Sequence, residues 1–126
     1  MNWVLLSPAL VEAIHDEVLN PGELPGRARD KSLEAALACI DNRIAYGMIA
    51  DVLDLAAAYA IAVARGHCFN DGNKRTAFRV KNAVLALNGV QIAWDTFAVG
   101  QTIIRAAQGL LEEPDLADWL RLQSPD

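Results

Sequence analysis

Several residue types are scarce in this sequence, and each scarcity excludes a class of protein. The 126 residues include only two cysteines, Cys39 and Cys68, too few for a disulfide framework or a four-ligand zinc site and typical of a reducing cytoplasm. The uncharged stretch in the middle of the chain, 55–64, has ten residues, whereas a transmembrane helix needs about 20. We therefore expect no membrane span, and the apolar start of the chain, 1–6, lacks the basic residues of a signal peptide.

Basic residues are also outnumbered, with 11 Lys and Arg against 16 Asp and Glu and a net charge of -5. This balance argues against a protein that binds nucleic acid directly, because phosphate contacts supply most of that affinity. Five basic residues nevertheless fall within residues 65–81, where Asp71 is the single acid: Arg65, Lys74, Arg75, Arg79 and Lys81. This concentration predicts a local anion site.

Apolar residues, by contrast, are abundant, at 53% against 21% charged, which is the balance of a globular chain. They recur at helical spacing through most of the sequence, without repeats or linkers. We predict one domain over residues 1–126, mainly α, a compact helical bundle with at most a short strand pair. Residues 90–94 are a candidate strand.

Capping residues and helix breakers predict where the helices begin and end. Ser7, followed by proline, begins a helix that ends near residue 20. Its predicted buried stripe is Leu10, Ile14 and Val18. A loop rich in glycine, proline and charge follows at 22–29, and we expect it to be exposed. Asp30 or Ser32 then caps a second helix that ends at about residue 46.

The third helix, 48–65, is apolar all round in its middle and is therefore predicted to be central. Gly66 is the candidate left-handed residue at its end. The fourth helix runs from Asn73 to Leu87, and its predicted buried face is Ala77, Val80, Val84 and Leu87. Thr96 is expected to cap a fifth helix, and Asp115 a sixth that ends at Leu122.

The loop at 66–72 joins the two most buried helices and leads into the basic one. A helix N-terminus presents unpaired amide donors and partial positive charge, so phosphate binds there readily. Gly72 would let a phosphate approach the backbone closely, while Lys74 adds a point charge and Arg75 a planar fork. Asn73 could orient an oxygen. A polyphosphate is the ligand that this pattern favours.

Two further side chains of this loop suggest chemistry. His67 can accept a proton at neutral pH, and Asp71 beside phosphates suggests a hard divalent cation such as magnesium. Structural interpretations stay open for each residue, because a loop histidine is often structural and Asp71 can cap a helix. Arg75 and Arg79 can form a solvated face, and Phe69 can anchor the loop in the core. Half of a possible metal site lies at Glu12, His15 and Asp16, but no second histidine and carboxylate pair completes it.

Residues 67–75, HCFNDGNKR, resemble the long signature of the Fic/Doc family, H-x-F-x-[DE]-[GA]-N-[GK]-R. Features typical of the Doc branch occur at His15-Asp16, at 24–26 (LPG) and at 29–37. The resemblance covers about residues 5–95. It implies a small, mainly helical fold, ATP as the nucleotide, magnesium held by Asp71, and His67 as the base that activates a hydroxyl of a target protein. The residues implied to hold the phosphates are Gly72, Asn73, Lys74 and Arg75, with Arg65 contributing from the preceding helix.

Two departures bear on the reaction. Members of the family that transfer AMP have glycine where this chain has Lys74, and usually a second arginine where it has Phe78. The Doc branch instead implies a kinase toxin that phosphorylates a threonine or serine of elongation factor Tu in the cytoplasm, paired with a Phd-type antitoxin. Transfer of AMP to a target hydroxyl, and a non-catalytic module that binds a nucleotide or a partner, are the alternatives.

Overall fold

The computed structural model describes residues 3–91 and 95–123, and it confirms the predicted helical bundle. Six helices occur within these ranges: α1 (Pro8–Val18), α2 (Leu33–Ala45), α3 (Val52–Gly66), α4 (Asn73–Leu87), α5 (Thr96–Ala107) and α6 (Glu113–Gln123). Among the described residues, no helix has both the length and the apolar composition that a bilayer span requires.

Helix α3 lies at the centre of the bundle, as its apolar middle predicted. It packs most extensively against α4, and also against α2, α5 and α6. Five alanines of α3 are buried, at positions 56, 57, 58, 60 and 64, and these small side chains let neighbouring helices approach closely. Two apolar clusters share this helix: one faces α1, α2 and α4, and the other faces α6.

The faces that α1 and α4 bury differ from those predicted at two positions. Leu10 is 39% exposed and Leu87 is 47% exposed, so both predictions of burial were wrong. In α1 the buried residues are instead Val11 and His15. The face is shifted because His15, a polar residue, lies against the interior, where it contacts the loop before α4.

Several predicted helix ends shift by a few residues, the largest shift being the start of α3 at Val52 instead of residue 48. Gly66 belongs to α3, and the left-handed residue is His67, with φ of 49°. At Gly66 a Cβ would lie 3.0 Å from the Cys68 sulfur, which is closer than an ordinary van der Waals contact. Asp95 caps α5 in place of Thr96, and α6 begins at Glu113, before Asp115. Boundary shifts of this size are expected where neighbouring residues can each cap.

The loop at 22–29 is exposed at most positions, as expected, yet its backbone is fastened to the loop before α4. Arg27 and Phe69 form an isolated antiparallel bridge. The Ala28 amide donates to the Cys68 carbonyl at 2.7 Å, and the Asn70 amide to the Gly26 carbonyl at 3.2 Å. This contact is an isolated bridge and not a strand pair, and no strand is formed among residues 3–91 and 95–123. The candidate strand at 90–94 lies partly outside the described residues, which omit 92–94.

Candidate active site

The end of α3, the loop at 67–72 and the start of α4 enclose a pocket of about 330 Å³. His67 lines it, is exposed, and has the left-handed backbone that a residue other than glycine rarely adopts. The remaining lining residues are Glu23, Ala64, Asn70, Asp71, Gly72, Asn73, Lys74 and Arg75. Six residues that the sequence singled out, His67 and 71–75, thus share one pocket.

The N-terminus of α4 is open towards this pocket. Its N-cap, Gly72, has φ of 80° and no side chain to accept a hydrogen bond from the helix. The first backbone bond of α4 joins the Thr76 amide to the Gly72 carbonyl at 2.9 Å, so the amides of residues 73–75 precede the intrahelical ladder. Amides in this position, together with the helix dipole, favour an anion.

The two cations of the pocket differ in their surroundings. Lys74 is exposed, so its ammonium is available to a ligand. The Arg75 guanidinium donates to the Val18 carbonyl at 2.5 Å and to the Glu23 carboxylate. Hydrogen bonds from Arg75 and from the Asn20 amide hold the pKa of Glu23 below its usual range. Glu23 was missed by the sequence analysis, because its position depends on how the loop at 22–29 packs.

Asp71 does not cap α4, although a capping role was open from the sequence. Its carboxylate Oδ2 accepts a hydrogen bond from the Leu24 amide at 2.8 Å, which leaves further lone pairs on a half-buried group in the pocket. Magnesium in phosphate-transfer sites is held by one or two carboxylates together with the phosphates. Asp71 therefore fits the carboxylate that such an ion requires.

Asn73 acts through its side chain on the loop itself. The side-chain amide donates to the Phe69 carbonyl at 2.9 Å and accepts from the Phe69 amide at 3.2 Å. Phe69 is 2% exposed, which confirms its interpretation as a core anchor. The Asn73 side chain thus fastens the loop to α4, and what it presents at the helix terminus is its backbone N–H.

His15 holds the same loop from α1, a role that neither its possible metal binding nor the family resemblance had indicated. Its ring stacks on Phe69, with centroids 3.8 Å apart and planes 7° from parallel. Its Nε2 donates to the Asp71 carbonyl at 2.7 Å. Glu12, its proposed fellow ligand, instead accepts from Arg27. The local sequence gave no sign of this role, because the two partners of His15, Phe69 and Asp71, are distant from it in sequence.

Arg65 is not brought to the pocket by the described contacts. Its guanidinium donates to the carbonyls of Ala106, at 2.7 Å, and Leu111. It also pairs with Glu112 at 3.1 Å. These contacts join the end of α3 to the last turn of α5 and to the segment between α5 and α6, on residues that do not line the pocket.

Comparison with known proteins places the site in a family. The family model described as "Fic/DOC family" matches residues 5–85. The chain is 38% identical to "Protein kinase doc" of Escherichia phage P1 over 117 residues, covering 92% of each chain. It is 41% identical to "Toxin Doc" of Mycolicibacterium smegmatis over 76 residues, covering 59% of this chain and 57% of that one. The chain belongs to the Fic/Doc family.

Proposed function

We propose that this chain is the kinase toxin of a toxin–antitoxin pair, and that it transfers the γ-phosphoryl group of ATP to a threonine or serine hydroxyl of elongation factor Tu. The observation that carries this proposal is the meeting of His67, the open N-terminus of α4 and Lys74 in one pocket. The relatives named as a kinase and as a toxin support the same activity.

The reaction begins at His67. A nitrogen of its imidazole accepts the proton of the target hydroxyl, whose oxygen forms a bond to the γ-phosphorus as the bond to the ADP oxygen breaks. The amides after Gly72 and the charge of Lys74 hold the phosphates and stabilise the negative charge that spreads over them. Arg75 joins them when a phosphate oxygen shares or replaces its Glu23 partner.

Asp71 is the residue that would hold magnesium, which supplies neutralisation of the phosphate charge when bound. The hydrogen bond that the Leu24 amide donates to Asp71 Oδ2 fixes the carboxylate within the pocket. Asp71→Asn keeps an acceptor for Leu24 and removes the charge. We expect it to abolish magnesium-dependent transfer while preserving the fold.

Transfer of label separates this proposal from its alternatives. Wild type should pass ³²P from [γ-³²P]ATP, and not from [α-³²P]ATP, to purified elongation factor Tu, and mass spectrometry should find one added phosphate on a threonine or serine. His67→Ala should lower the rate at least ~100-fold, the usual scale for general base catalysis. Arg105→Ala, which changes an exposed cation outside the pocket, is the matched control.

Each alternative gives a different result in this assay. Label from [α-³²P]ATP on the target would replace the proposal with AMP transfer. ATP binding without modification of any protein would replace it with a non-catalytic module. Unchanged transfer by His67→Ala would remove the base from the mechanism.

The proposed partner in the cell is a Phd-type antitoxin, and the proposed compartment is the cytoplasm, where elongation factor Tu works. The toxin name of one relative supports an antitoxin partner. Expression of wild type should arrest growth, and co-expression of the antitoxin or the His67→Ala substitution should relieve the arrest.

A further inference from the structure

His67 is positioned by its backbone rather than by partners of its ring. Its φ of 49° lies in the left-handed region, which costs energy for a residue other than glycine and persists only where neighbouring contacts enforce it. Among residues 3–91 and 95–123, no group makes a hydrogen bond or an ion pair with its imidazole. The place of the ring in the pocket therefore depends on the segments before and after it.

The segment after His67 is anchored in the core. Cys68 is buried, and its carbonyl accepts a hydrogen bond from the Ala28 amide at 2.7 Å. The next residue, Phe69, is also buried and stacks on His15. These contacts fix the backbone on the carboxyl side of His67.

The segment before the loop is anchored by Arg65, the penultimate residue of α3. Its Nε donates to the Ala106 carbonyl at 2.7 Å, one Nη to the Glu112 carboxylate at 3.1 Å, and the other Nη to the Leu111 carbonyl. All three nitrogens are thus engaged within residues 106–112. Because a guanidinium is planar and its donors have a fixed geometry, these bonds define the position of the whole group.

These contacts have one local and one more distant consequence. A basic side chain on the last carbonyls of α5 stabilises that helix end. The same group is joined to α3 only two residues before His67, and the intervening residue, Gly66, has the backbone with the greatest conformational freedom. Ala64 and His67, on either side of this pair, both line the pocket. An anchor at Arg65 therefore restrains a part of the chain that its own sequence leaves flexible.

We propose that Arg65 is a positioning residue for His67: its bonds to residues 106–112 fix the end of α3, and with it the backbone that carries the imidazole. The inference rests on the proposed function, since it takes His67 as the base. Arg65 acts on phosphoryl transfer through His67 and contacts neither ATP nor the target hydroxyl. The effect is large enough to measure, because a misplacement of about 1 Å can cost ~100-fold in rate.

Single-turnover transfer from [γ-³²P]ATP, at saturating ATP and target, tests this role. Arg65→Met keeps an aliphatic stem and removes every donor, so transfer should slow at least ~10-fold. Its ATP affinity, measured by calorimetry, should stay within about twofold of wild type, because the loss falls on the transfer step. Arg65→Lys retains a cationic donor and should recover part of the rate.

The matched control is Arg121→Met, which removes an arginine from the opposite end of the same helix. Arg121 pairs with Asp51 and Asp54 at the start of α3. This variant should lower Tm, as Arg65→Met does, and leave the transfer rate within about twofold of wild type. An equal loss of rate in both variants would reduce the effect to stability of the bundle and overturn the proposal.

A double variant shows whether Arg65 acts through the base. In a His67→Ala background, Arg65→Met should slow the residual transfer no further, because the group that it positions is already absent. A further loss as large as that in wild type would overturn the proposal. Weaker ATP affinity in Arg65→Met would also overturn it, since the guanidinium would then act on the phosphates.

A measurement that needs no activity separates this inference from the proposed function. In protein labelled with ¹³C and ¹⁵N, the Cα chemical shift of His67 reports its left-handed backbone. Arg65→Met should move this shift towards that of a flexible residue, and Arg121→Met should leave it unchanged. An unchanged shift in Arg65→Met would overturn the positioning role whatever the activity. Absence of transfer by wild type, with the shift change present, would overturn the proposed function and leave the anchoring of His67 by Arg65 standing.

Discussion

The N-terminus of α4 differs from those of four other helices in what satisfies its amides. At α1, α2, α3 and α5 the capping residue accepts a hydrogen bond from an amide of its own helix, at 2.9–3.1 Å. These residues are Ser7, Ser32, Asp51 and Asp95. At α4 the corresponding residue is Gly72, which has no side chain to offer.

This difference separates helix ends that serve stability from one that serves binding. A capping side chain stabilises a helix by about 1 kcal/mol, so its absence at α4 costs stability. Other contacts hold this end in place: His15 donates to the Asp71 carbonyl, and Asn73 is bonded to the Phe69 backbone. The helix end is thus supported from outside, and its amides remain available to a ligand.

The largest expected effect comes from giving α4 an acidic cap. Gly72→Asp places a carboxylate where phosphate is proposed to bind, and two negative charges a few ångströms apart in a partly buried site repel each other by about 4 kcal/mol. We expect ATP affinity to fall at least ~100-fold, as measured by calorimetry. Gly72→Asn is the matched control, since asparagine also tolerates the left-handed backbone and carries no charge. Equal losses of ATP affinity in both variants would show that the size of the added side chain, and not its charge, weakens binding.

The second effect contrasts the two lysines of α4. Lys81 is fully buried, lies 4.5 Å from the centroid of the Phe78 ring, and has a pKa that burial lowers from 10.5 to about 8. Between these values the unfolded chain holds a proton that the native lysine has lost, so stability rises with pH there. Below pH 8 both states are charged, and the cost of burial is fully present.

Urea unfolding of wild type and Lys81→Met across pH 7–11 checks this predicted dependence of stability on pH. The free energy of unfolding of wild type, relative to the variant, should rise by about 3 kcal/mol, because one pKa unit corresponds to ~1.4 kcal/mol. Lys74→Met, a change at the exposed start of the same helix, keeps Lys81 and should keep this rise relative to Lys81→Met. Parallel curves for wild type and Lys81→Met would contradict the prediction.

The third prediction concerns His15, which supports the uncapped N-terminus of α4. His15→Phe keeps a ring for stacking on Phe69 and removes the donor to the Asp71 carbonyl, so the free energy of unfolding should fall by about 2 kcal/mol. ATP affinity should fall too, because residues 71–75 lose their brace. His15→Gln retains a donor and should recover part of both losses. If His15→Phe left ATP affinity unchanged, the hydrogen bond from His15 to the Asp71 carbonyl would stabilise the fold without positioning the binding site.

The smallest effect is at the capped ends. Ser32→Ala removes the acceptor for the Ala35 amide and should lower the free energy of unfolding by about 1 kcal/mol. ATP affinity, measured by calorimetry, should stay within twofold of wild type, because α2 does not line the pocket. A large loss of ATP affinity in Ser32→Ala would show that a capped helix end also contributes to binding, which contradicts the comparison.

Local signals predicted much of this structure. The bounds of α4, Asn73–Leu87, follow from a glycine before the helix and Asn88-Gly89 after it. Similarly, Ser7 caps the first helix as expected, and Ser32 caps the second, for which Asp30 and Ser32 were both candidates. Such signals depend on neighbours in sequence, and a single chain displays them directly.

Contacts between distant segments were not predictable in the same way. The pairing of Arg75 with Glu23 and of His15 with Asp71 joins residues more than 50 positions apart. Arg65 was expected beside the phosphates from its charge and its place before the loop, but its partners come from the last turn of α5 and the segment that follows it. Which of several acceptors an arginine reaches depends on helix packing, which the sequence pattern leaves open.

The loop at 67–72 spans the carboxyl end of one helix and the amino end of the next, and this orientation has an electrical consequence. The end of α3 carries negative partial charge and the start of α4 carries positive partial charge. In the proposed transfer, a proton arrives at the first of these poles, on His67, while anionic oxygens gather at the second. Helix direction alone thus aligns the backbone field with the separation of charge that the reaction creates.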